Sequence, residues 1–269
     1  MAVPVRVTVP SLAMTTLAYD FSESAPADAG QPPVVLLHAG VCDRRMWDHQ
    51  WDTLRTTGHR VLRLDLPGFG DSPLPAGAFN SPEIIHDLLD ELGLDRVSLV
   101  GASFGGKIAT EIAARWPKLV GTLVLVCAGG DAEPNDAMRA FGAREDALLE
   151  AGDVDAAVAL NVDTWLGPLA GPEARDRVTA MQRRAFDVQM PAGPEVSMRA
   201  VEYDVAAITA RTLAISGDHD FAPFAEVADT ITAAVPGTVR LRLDWAGHLP
   251  SIEDPERFDP ILTDFLANR

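Results

Sequence analysis

Short apolar segments recur along the chain, and segments with helical spacing of their apolar residues separate them. Several of the short segments contain hardly any polar residue, which is typical of strands that are covered on both faces of a parallel sheet. An alternation of such strands with helices predicts a doubly wound α/β sheet. The predicted strands are Val34–His38, Arg60–Leu66, Val97–Gly101, Thr122–Cys127, Arg211–Gly217 and Thr238–Asp244.

Two earlier segments and one helix complete this pattern. Arg6–Val9 and Thr15–Phe21 are predicted as antiparallel strands at an edge of the sheet. A helix is predicted over Ser81–Leu92, with Ser81 as its N-cap and Pro82 at its first position, where proline is tolerated.

A long helical insertion interrupts the alternation. From about Asp131 to Asp204 no strand pattern occurs, and three stretches with helical spacing follow one another, separated by Gly-Pro pairs. Strand patterns resume at Arg211, so the insertion lies within the α/β domain. We therefore predict a core domain of residues 1–130 and 205–269 and a helical cap of residues 131–204.

The charge and composition of the chain limit the kinds of molecule that we expect it to bind. The chain of 269 residues has a formal net charge of −17, which disfavours binding to nucleic acids and anionic membranes. It has two cysteines, Cys42 and Cys127, and Cys127 ends an apolar segment, so we expect it in the core and predict no disulfide framework. We see no signal peptide and no apolar stretch approaching the roughly 18 residues of a membrane span. A cytoplasmic protein that acts on a small molecule is the resulting expectation.

One serine stands at the junction of a strand and a helix. Ser103 lies in "GASFGG", directly after Val97–Gly101 and before a stretch with helical spacing. This context and the flanking glycines match the G-x-S-x-G turn that holds a nucleophilic serine above a sheet. The helix N-terminus that follows favours the negative charge that develops during attack. Ser103 is therefore the predicted nucleophile.

A serine hydroxyl becomes reactive when a base takes its proton and a carboxylate orients that base. His248 is the predicted base, because it follows the last predicted strand on a loop that can reach the edge of the sheet. By contrast, His49, His59 and His86 fall in helical or connecting segments, and we expect them at the surface.

The orienting carboxylate is predicted in the loop "GDHD". Asp220 is the preferred residue there, and Asp131, which follows another predicted strand, remains an alternative. His219 is the weaker candidate for the base because it neighbours the acid. A metal site is disfavoured, since Asp218, His219 and Asp220 are consecutive and cannot all face one ion.

Five motifs, in order and spread over nearly the whole chain, resemble those of the α/β-hydrolase superfamily, in the branch with a serine nucleophile. They are "LLHAGVCDRRMW", "LDLPGFGDS", "GASFGG", "GDHD" and "GHLPSIEDPERF". The resemblance implies an α/β-hydrolase fold, with a mostly parallel central sheet flanked by helices and an inserted helical cap. The order Ser103, Asp220, His248 is the nucleophile–acid–base order of that fold.

The same resemblance implies an oxyanion hole made of two backbone N–H groups. One belongs to Phe104, and the other comes from the loop after the first core strand, from Gly40 or alternatively from Val41. This chain has Ala39 after His38, where the superfamily often has glycine. We expect His38 to be structural.

Side chains of the predicted cap and the oxyanion loop are candidates for the substrate pocket, although cap residues can equally pack on the domain below. Substrate carboxylates have candidate partners in Arg183 and Arg184 or in Arg44 and Arg45, with solvent exposure as the alternative. The candidate pocket residues are Val41, Trp165, Phe141, Phe186 and Met181.

Parts of the cap and of the first motif resemble small-ester hydrolases and 3-oxoadipate enol-lactonases. The expected function is a serine hydrolase, without a cofactor, that cleaves a small to medium carboxylic ester or lactone through an acyl-enzyme. Hydrolysis of a carbon–carbon bond and perhydrolysis use the same triad and remain alternatives. A small-molecule receptor that retains the fold without turnover is the alternative outside the enzymes.

Overall fold

In the computed structural model, strands and helices alternate along the described residues, 17–22 and 31–267. The strands are β1 (Tyr19–Ser22), β2 (Val34–Leu37), β3 (Val61–Leu64), β4 (Ala78–Phe79), β5 (Val97–Ala102), β6 (Val120–Val126), β7 (Ser197–Met198), β8 (Arg211–Gly217) and β9 (Val239–Leu243). The helices are α1 (Asp48–Thr56), α2 (Ser81–Glu91), α3 (Phe104–Arg115), α4 (Asp136–Glu150), α5 (Val154–Trp165), α6 (Pro172–Gln189), α7 (Ala222–Ala234), α8 (Pro250–Glu253) and α9 (Pro255–Ala267).

The main sheet has the strand order β1-β3-β2-β5-β6-β8-β9 in the described part of the chain. Strand β1 is antiparallel to β3, and the other neighbours are parallel. The carboxyl ends of β2, β5, β6, β8 and β9 therefore meet at one edge, which is where open α/β sheets hold their ligands. The predicted mostly parallel sheet with flanking helices is confirmed.

Alternation along the central strands divides the core into two apolar layers. Leu36 and Val100 face one layer, and Val35 and Leu99 face the other. Period-2 alternation with both faces buried explains why these strands are apolar throughout. Both faces of the central strands are therefore covered by apolar side chains.

The helical insertion contributes to both of these layers, and Ala185 of α6 belongs to the layer of Val35 and Leu99. Helices α4, α5 and α6 lie between β6 and β8 in the chain, and α5 packs against both α4 and α6. Val162 of α5 and Val178 of α6 join the same apolar cluster as Trp47, in the 3-10 turn before α1. The division into a core and a cap at residues 131–204 stays a prediction.

Several sequence predictions differ from the structure or lie outside it. The sequence predicts no strand in residues 131–204, but the short strand β7 lies there and pairs with β4, a long-range contact that leaves no local pattern. The N-cap of α2 is Asn80, whose side chain accepts a hydrogen bond from the Glu83 N–H at 3.0 Å, so Ser81 is already helical. The prediction that His59 lies at the surface is wrong, because it follows α1 into the sheet and is only 8% exposed. The predicted strand Arg6–Val9 lies outside the described residues.

Within residues 17–22 and 31–267, none of the helices combines the length and the apolar character that crossing a membrane would need.

Candidate active site

Ser103 occupies a strained turn between β5 and α3. Its φ of 50° and ψ of −114° lie outside the regions that residues with a side chain normally adopt. The turn is held by backbone hydrogen bonds from the Ser103 N–H to Val126 O and from the Gly129 N–H to Ser103 O, both 2.9 Å. Such strain, fixed by its surroundings, is characteristic of functional positions.

The glycines around Ser103 allow this turn because neighbouring backbone atoms occupy the space that a side chain would fill. A Cβ on Gly101 would lie 2.7 Å from the carbonyl carbon of Gly105 and 2.8 Å from the Cα of Gly106. A Cβ on Gly105 would lie 2.5 Å from the carbonyl oxygen of His38, beyond the end of β2. The first turn of α3 therefore lies directly against β5 and β2.

His248 and Asp220 form a buried pair at the same edge of the sheet. The Nδ1 of His248 lies 2.7 Å from the Oδ2 of Asp220, and the two side chains are 3% and 2% exposed. The other oxygen of Asp220 accepts from the Phe221 N–H at 2.7 Å. A carboxylate at Nδ1 favours the tautomer with the proton on Nδ1, which leaves Nε2 free to accept a proton from a nucleophile.

The alternative acid, Asp131, lies elsewhere. It is exposed and lines a cavity of about 610 Å³ together with Phe104, Lys107 and Tyr203. Burial, followed by the nearby carboxylates of Asp131 and Glu111, raises the pKa of Tyr203 to about 12. Among the described residues no hydrogen bond or ion pair joins Asp131 to His248, so the geometry favours Asp220 as the partner of the base.

Backbone N–H groups without an acceptor occur directly after Ser103 and in the loop that lies next to it. Gly40 and Phe104 are neighbours, since a Cβ on Gly40 would lie 3.6 Å from the Cβ of Phe104. In the described part of the chain, neither the Gly40 N–H nor the Phe104 N–H finds an acceptor, and the same is true of Val41. The Ala39 N–H, by contrast, contacts the sulfur of Met46 at 3.4 Å. Phe104 with Gly40 or Val41 therefore matches the two donors of an oxyanion hole.

His38 is a buried structural residue. Its Nδ1 donates to the carbonyl oxygen of Ala39 at 2.8 Å, and its Nε2 accepts from the Leu66 N–H at 2.9 Å. Burial lowers the pKa of His38, so the ring is neutral, as this pair of hydrogen bonds requires. His38 thereby fixes the start of the loop that carries Gly40.

An aromatic cluster packs against His248. The ring of Trp165, at the end of α5, lies 4.6 Å from the imidazole, and the ring of Phe224 lies 4.2 Å from it. Phe141 contacts Trp165 edge-on at 5.1 Å, and Phe221 does so at 5.4 Å. Of these, Phe221 and Phe224 were missed by the sequence analysis, although "DFAPF" places both directly after Asp220.

The other candidate pocket residues have different surroundings. Met181 and Phe186 are buried in the apolar cluster that includes Trp47, and Val41 packs against that cluster while half-buried. Packing in this cluster accounts for the burial of Met181 and Phe186. Their role in a substrate pocket stays a prediction.

The arginines considered for substrate carboxylates all have partners within the protein. Arg44 pairs with Asp65 and Asp71, and Arg45 pairs with Asp43. Arg183 pairs with Asp155, and Arg184 donates to the carbonyl oxygen of Gly70 at 2.9 Å.

Cys127 is an unexpected neighbour of the pair. One ligand atom each from Cys127, Asp220 and His248 lies within 4.8 Å of the others, in the arrangement of a possible metal site. Burial, followed by the charge of Asp220, raises the pKa of Cys127 well above its usual value, whereas a metal binds the thiolate. In addition, the Nδ1 of His248 and the Oδ2 of Asp220 are already joined by their direct hydrogen bond. The group therefore fits a hydrogen-bonded cluster better than a metal centre.

Comparison with known proteins identifies the family to which the chain belongs. The model of the alpha/beta hydrolase family matches residues 34–260. The chain belongs to this family. The region matched by the alpha/beta hydrolase model includes Ser103, Asp220, His248 and the three candidate donors of the oxyanion hole.

Individual alpha/beta hydrolases cover nearly the whole chain. A putative carbamate hydrolase RutD from Klebsiella pneumoniae (strain 342) is 30% identical over 255 residues, which are 90% of this chain and 94% of that protein. The crystal structure of a hydrolase from Pseudomonas aeruginosa PA01 superposes with a TM-score of 0.74 at 29% identity, covering 93% of this chain and 94% of that one. The enol-lactonase from Burkholderia xenovorans LB400 has a TM-score of 0.72 at 22% identity, over 94% and 96% of the two chains, which supports the shared fold alone.

Proposed function

We propose that the protein is a serine hydrolase that needs no cofactor and cleaves a small to medium carboxylic ester or lactone. Ser103 is the nucleophile, His248 the general base and acid, and Asp220 the residue that orients His248. The oxyanion is held by the N–H groups of Phe104 and Gly40. The buried 2.7 Å contact between His248 and Asp220, at the sheet edge where Ser103 is strained, is the observation that carries this proposal.

The proposed reaction has two halves. As Ser103 Oγ bonds to the carbonyl carbon, His248 Nε2 takes its proton and the carbonyl electron pair moves onto the oxygen. Collapse breaks the ester bond, and the alcohol oxygen takes the proton from His248. Water then attacks the acyl carbon with His248 as base, and Ser103 leaves with the returned proton. Each oxyanion donor is worth about 3–4 kcal/mol in comparable sites.

The aromatic cluster of Phe141, Trp165, Phe221 and Phe224 supports an apolar group on the substrate, because it covers His248 on the side of α5. We assign the cluster, together with Val41, to the pocket of the substrate. The proposed cap of residues 131–204 supplies Phe141 and Trp165. A small molecule is accordingly the proposed partner.

Carbamates are a second candidate substrate class. The RutD relatives, at up to 30% identity, are named putative carbamate hydrolases. A carbamate carbonyl accepts the same attack by serine and gives a carbamoyl-enzyme, so the triad suits both classes. The rate at which water releases the acyl or carbamoyl group from Ser103 distinguishes the two substrate classes.

A substrate panel tests the proposal. Esters, lactones and carbamates with short and medium chains are offered to the parent and to the Ser103→Ala and His248→Ala variants, with His49→Ala as the matched control at an exposed histidine. We expect turnover of at least one ester or lactone by the parent and the control, and loss of that turnover in both triad variants. Parental turnover by Ser103→Ala would refute the proposal, and rapid turnover of carbamates alone would replace the ester with the carbamate.

A further inference from the structure

Glu253 is a buried carboxylate outside the proposed triad. It lies at the end of the short helix α8 and is 6% exposed. Its Oε2 accepts from the Gly247 N–H at 2.7 Å, and its Oε1 accepts from the Leu249 N–H at 2.9 Å. The two oxygens therefore hold the backbone immediately before and immediately after His248.

The same carboxylate lies against Gly167, in the connection between α5 and α6. A Cβ built on Gly167 would collide with Glu253 Oε2 and would lie 2.9 Å from the Cα of Gly247. In addition, the His248 N–H donates to the carbonyl oxygen of Trp165 at 3.3 Å. The loop that carries the histidine is thus in direct contact with the connection between α5 and α6.

Burying a charge here is unfavourable unless hydrogen bonds compensate it. Burial raises the pKa of Glu253, and the backbone N–H groups of Gly247, Leu249 and Gly167 act in the opposite direction. A neutral side chain would avoid the cost of burial but would satisfy fewer of these N–H groups. This buried position therefore suits a carboxylate, because both of its oxygens accept backbone hydrogen bonds.

We propose that Glu253 is a positioning residue that fixes His248 between Asp220 and Ser103 by holding the backbone on both sides of it, and that Gly167 makes room for this contact. The inference rests on the proposed serine hydrolase function. A base displaced by about 1 Å loses about 100-fold in rate, so the position of a loop residue needs such support.

Replacement by glutamine tests the clamp. Glu253→Gln retains the length of the side chain but offers one acceptor oxygen, so the N–H group of either Gly247 or Leu249 loses its partner. We expect kcat to fall by about 10- to 100-fold, with KM changed less than threefold. Glu253→Ala is expected to fall further. Asp254→Asn is the matched control, because this neighbouring carboxylate pairs with Arg257 at 3.1 Å and, among the described residues, its side chain makes no hydrogen bond to the histidine loop.

A second pair of variants tests the clamp without removing a polar group. Gly167→Ala places a methyl group against Glu253, whereas Gly171→Ala, in the same connection, meets nothing within 4 Å. We expect Gly167→Ala to lower kcat at unchanged KM, and Gly171→Ala to behave as the parent. In the double variant Gly167→Ala/Glu253→Gln the two effects should not multiply, because both act on one contact.

The outcomes separate this inference from the proposed function. Parental kcat in folded Glu253→Gln, with normal labelling of Ser103 by a fluorophosphonate, would overturn the positioning role alone. A loss explained entirely by a smaller folded fraction, with unchanged kcat per folded molecule, would overturn it as well. Where the Glu253 variants do not fold, the comparison of Gly167→Ala with Gly171→Ala decides, and equal kcat in the two would refute the clamp. Turnover by Ser103→Ala would instead refute the proposed function.

Discussion

Replacement of Gly105 by alanine tests how closely the start of α3 must lie against the end of β2. The new Cβ would lie 2.5 Å from the carbonyl oxygen of His38 and 2.6 Å from the carbonyl carbon of Leu37. Ordinary contact begins at 3.4 Å, so a gap of about 0.9 Å must open between two backbone segments. We expect the free energy of unfolding to fall by about 3 kcal/mol, the upper end of the range for overpacking.

Such a shift also moves the two candidate donors of the oxyanion hole. The Phe104 N–H belongs to α3, and the Gly40 N–H belongs to the loop after β2. Because a misplacement of about 1 Å lowers rates by about 100-fold, we expect labelling of Ser103 by a fluorophosphonate to slow by about that factor.

The matched control is the same substitution in an open position. A Cβ on Gly142, within α4, meets nothing within 4 Å, and alanine is favoured over glycine in helices by about 1 kcal/mol. At about 2–4 °C per kcal/mol, Gly105→Ala should lower the Tm by about 6–12 °C, and Gly142→Ala should raise it by about 2–4 °C. Scanning calorimetry with labelling kinetics measures both effects. Parental Tm and labelling rate in Gly105→Ala would refute the reasoning.

Three further predictions concern single groups. Asp220→Asn should lower kcat by about 10⁴-fold, because the amide favours the wrong imidazole tautomer, while Asp131→Asn should retain parental kcat in the same ester assay. The folded pKa of Tyr203, about 12, lies above its ordinary value of 10.0, so its contribution to stability is complete below pH 10 and is lost as the pH rises towards 12. Denaturant melts should show Tyr203→Phe losing less stability than the parent in this window, and equal losses would contradict the assignment. Burial raises the pKa of Cys42 and Cys127, so neither should react with iodoacetamide at pH 8 until the protein is unfolded, as mass spectrometry can establish.

The strands of the main sheet could be predicted because burial on both faces leaves a strong local signal. Strand β8 has the bounds that its apolar pattern predicts, and β3 is shorter than predicted by one residue at its start and two at its end. The pairing of β4 with β7 had no such signal, since it joins two-residue strands more than a hundred residues apart in the chain. Local patterns cannot indicate contacts that only the folded chain creates.

The candidate site likewise combines residues that local motifs indicate with residues whose surroundings only the folded chain creates. Ser103 and His248 stand in motifs whose turn chemistry is local, so the sequence indicated them directly. His59 lies in a polar stretch but is buried, because the connection from α1 enters the sheet at that point. Glu253 likewise belongs to a charged segment, and its burial depends on three backbone N–H groups that converge only in the fold. A charged segment predicts exposed side chains, and this prediction fails where hydrogen bonds compensate the cost of burying a charge.

The central claim is that Ser103 is an activated nucleophile. The most direct test is the intact mass of the protein after treatment with a serine-reactive fluorophosphonate, with Ser103→Ala measured in parallel. The account predicts one adduct on the parent and none on the variant. The absence of an adduct on the folded parent, or an equal adduct on Ser103→Ala, would contradict it.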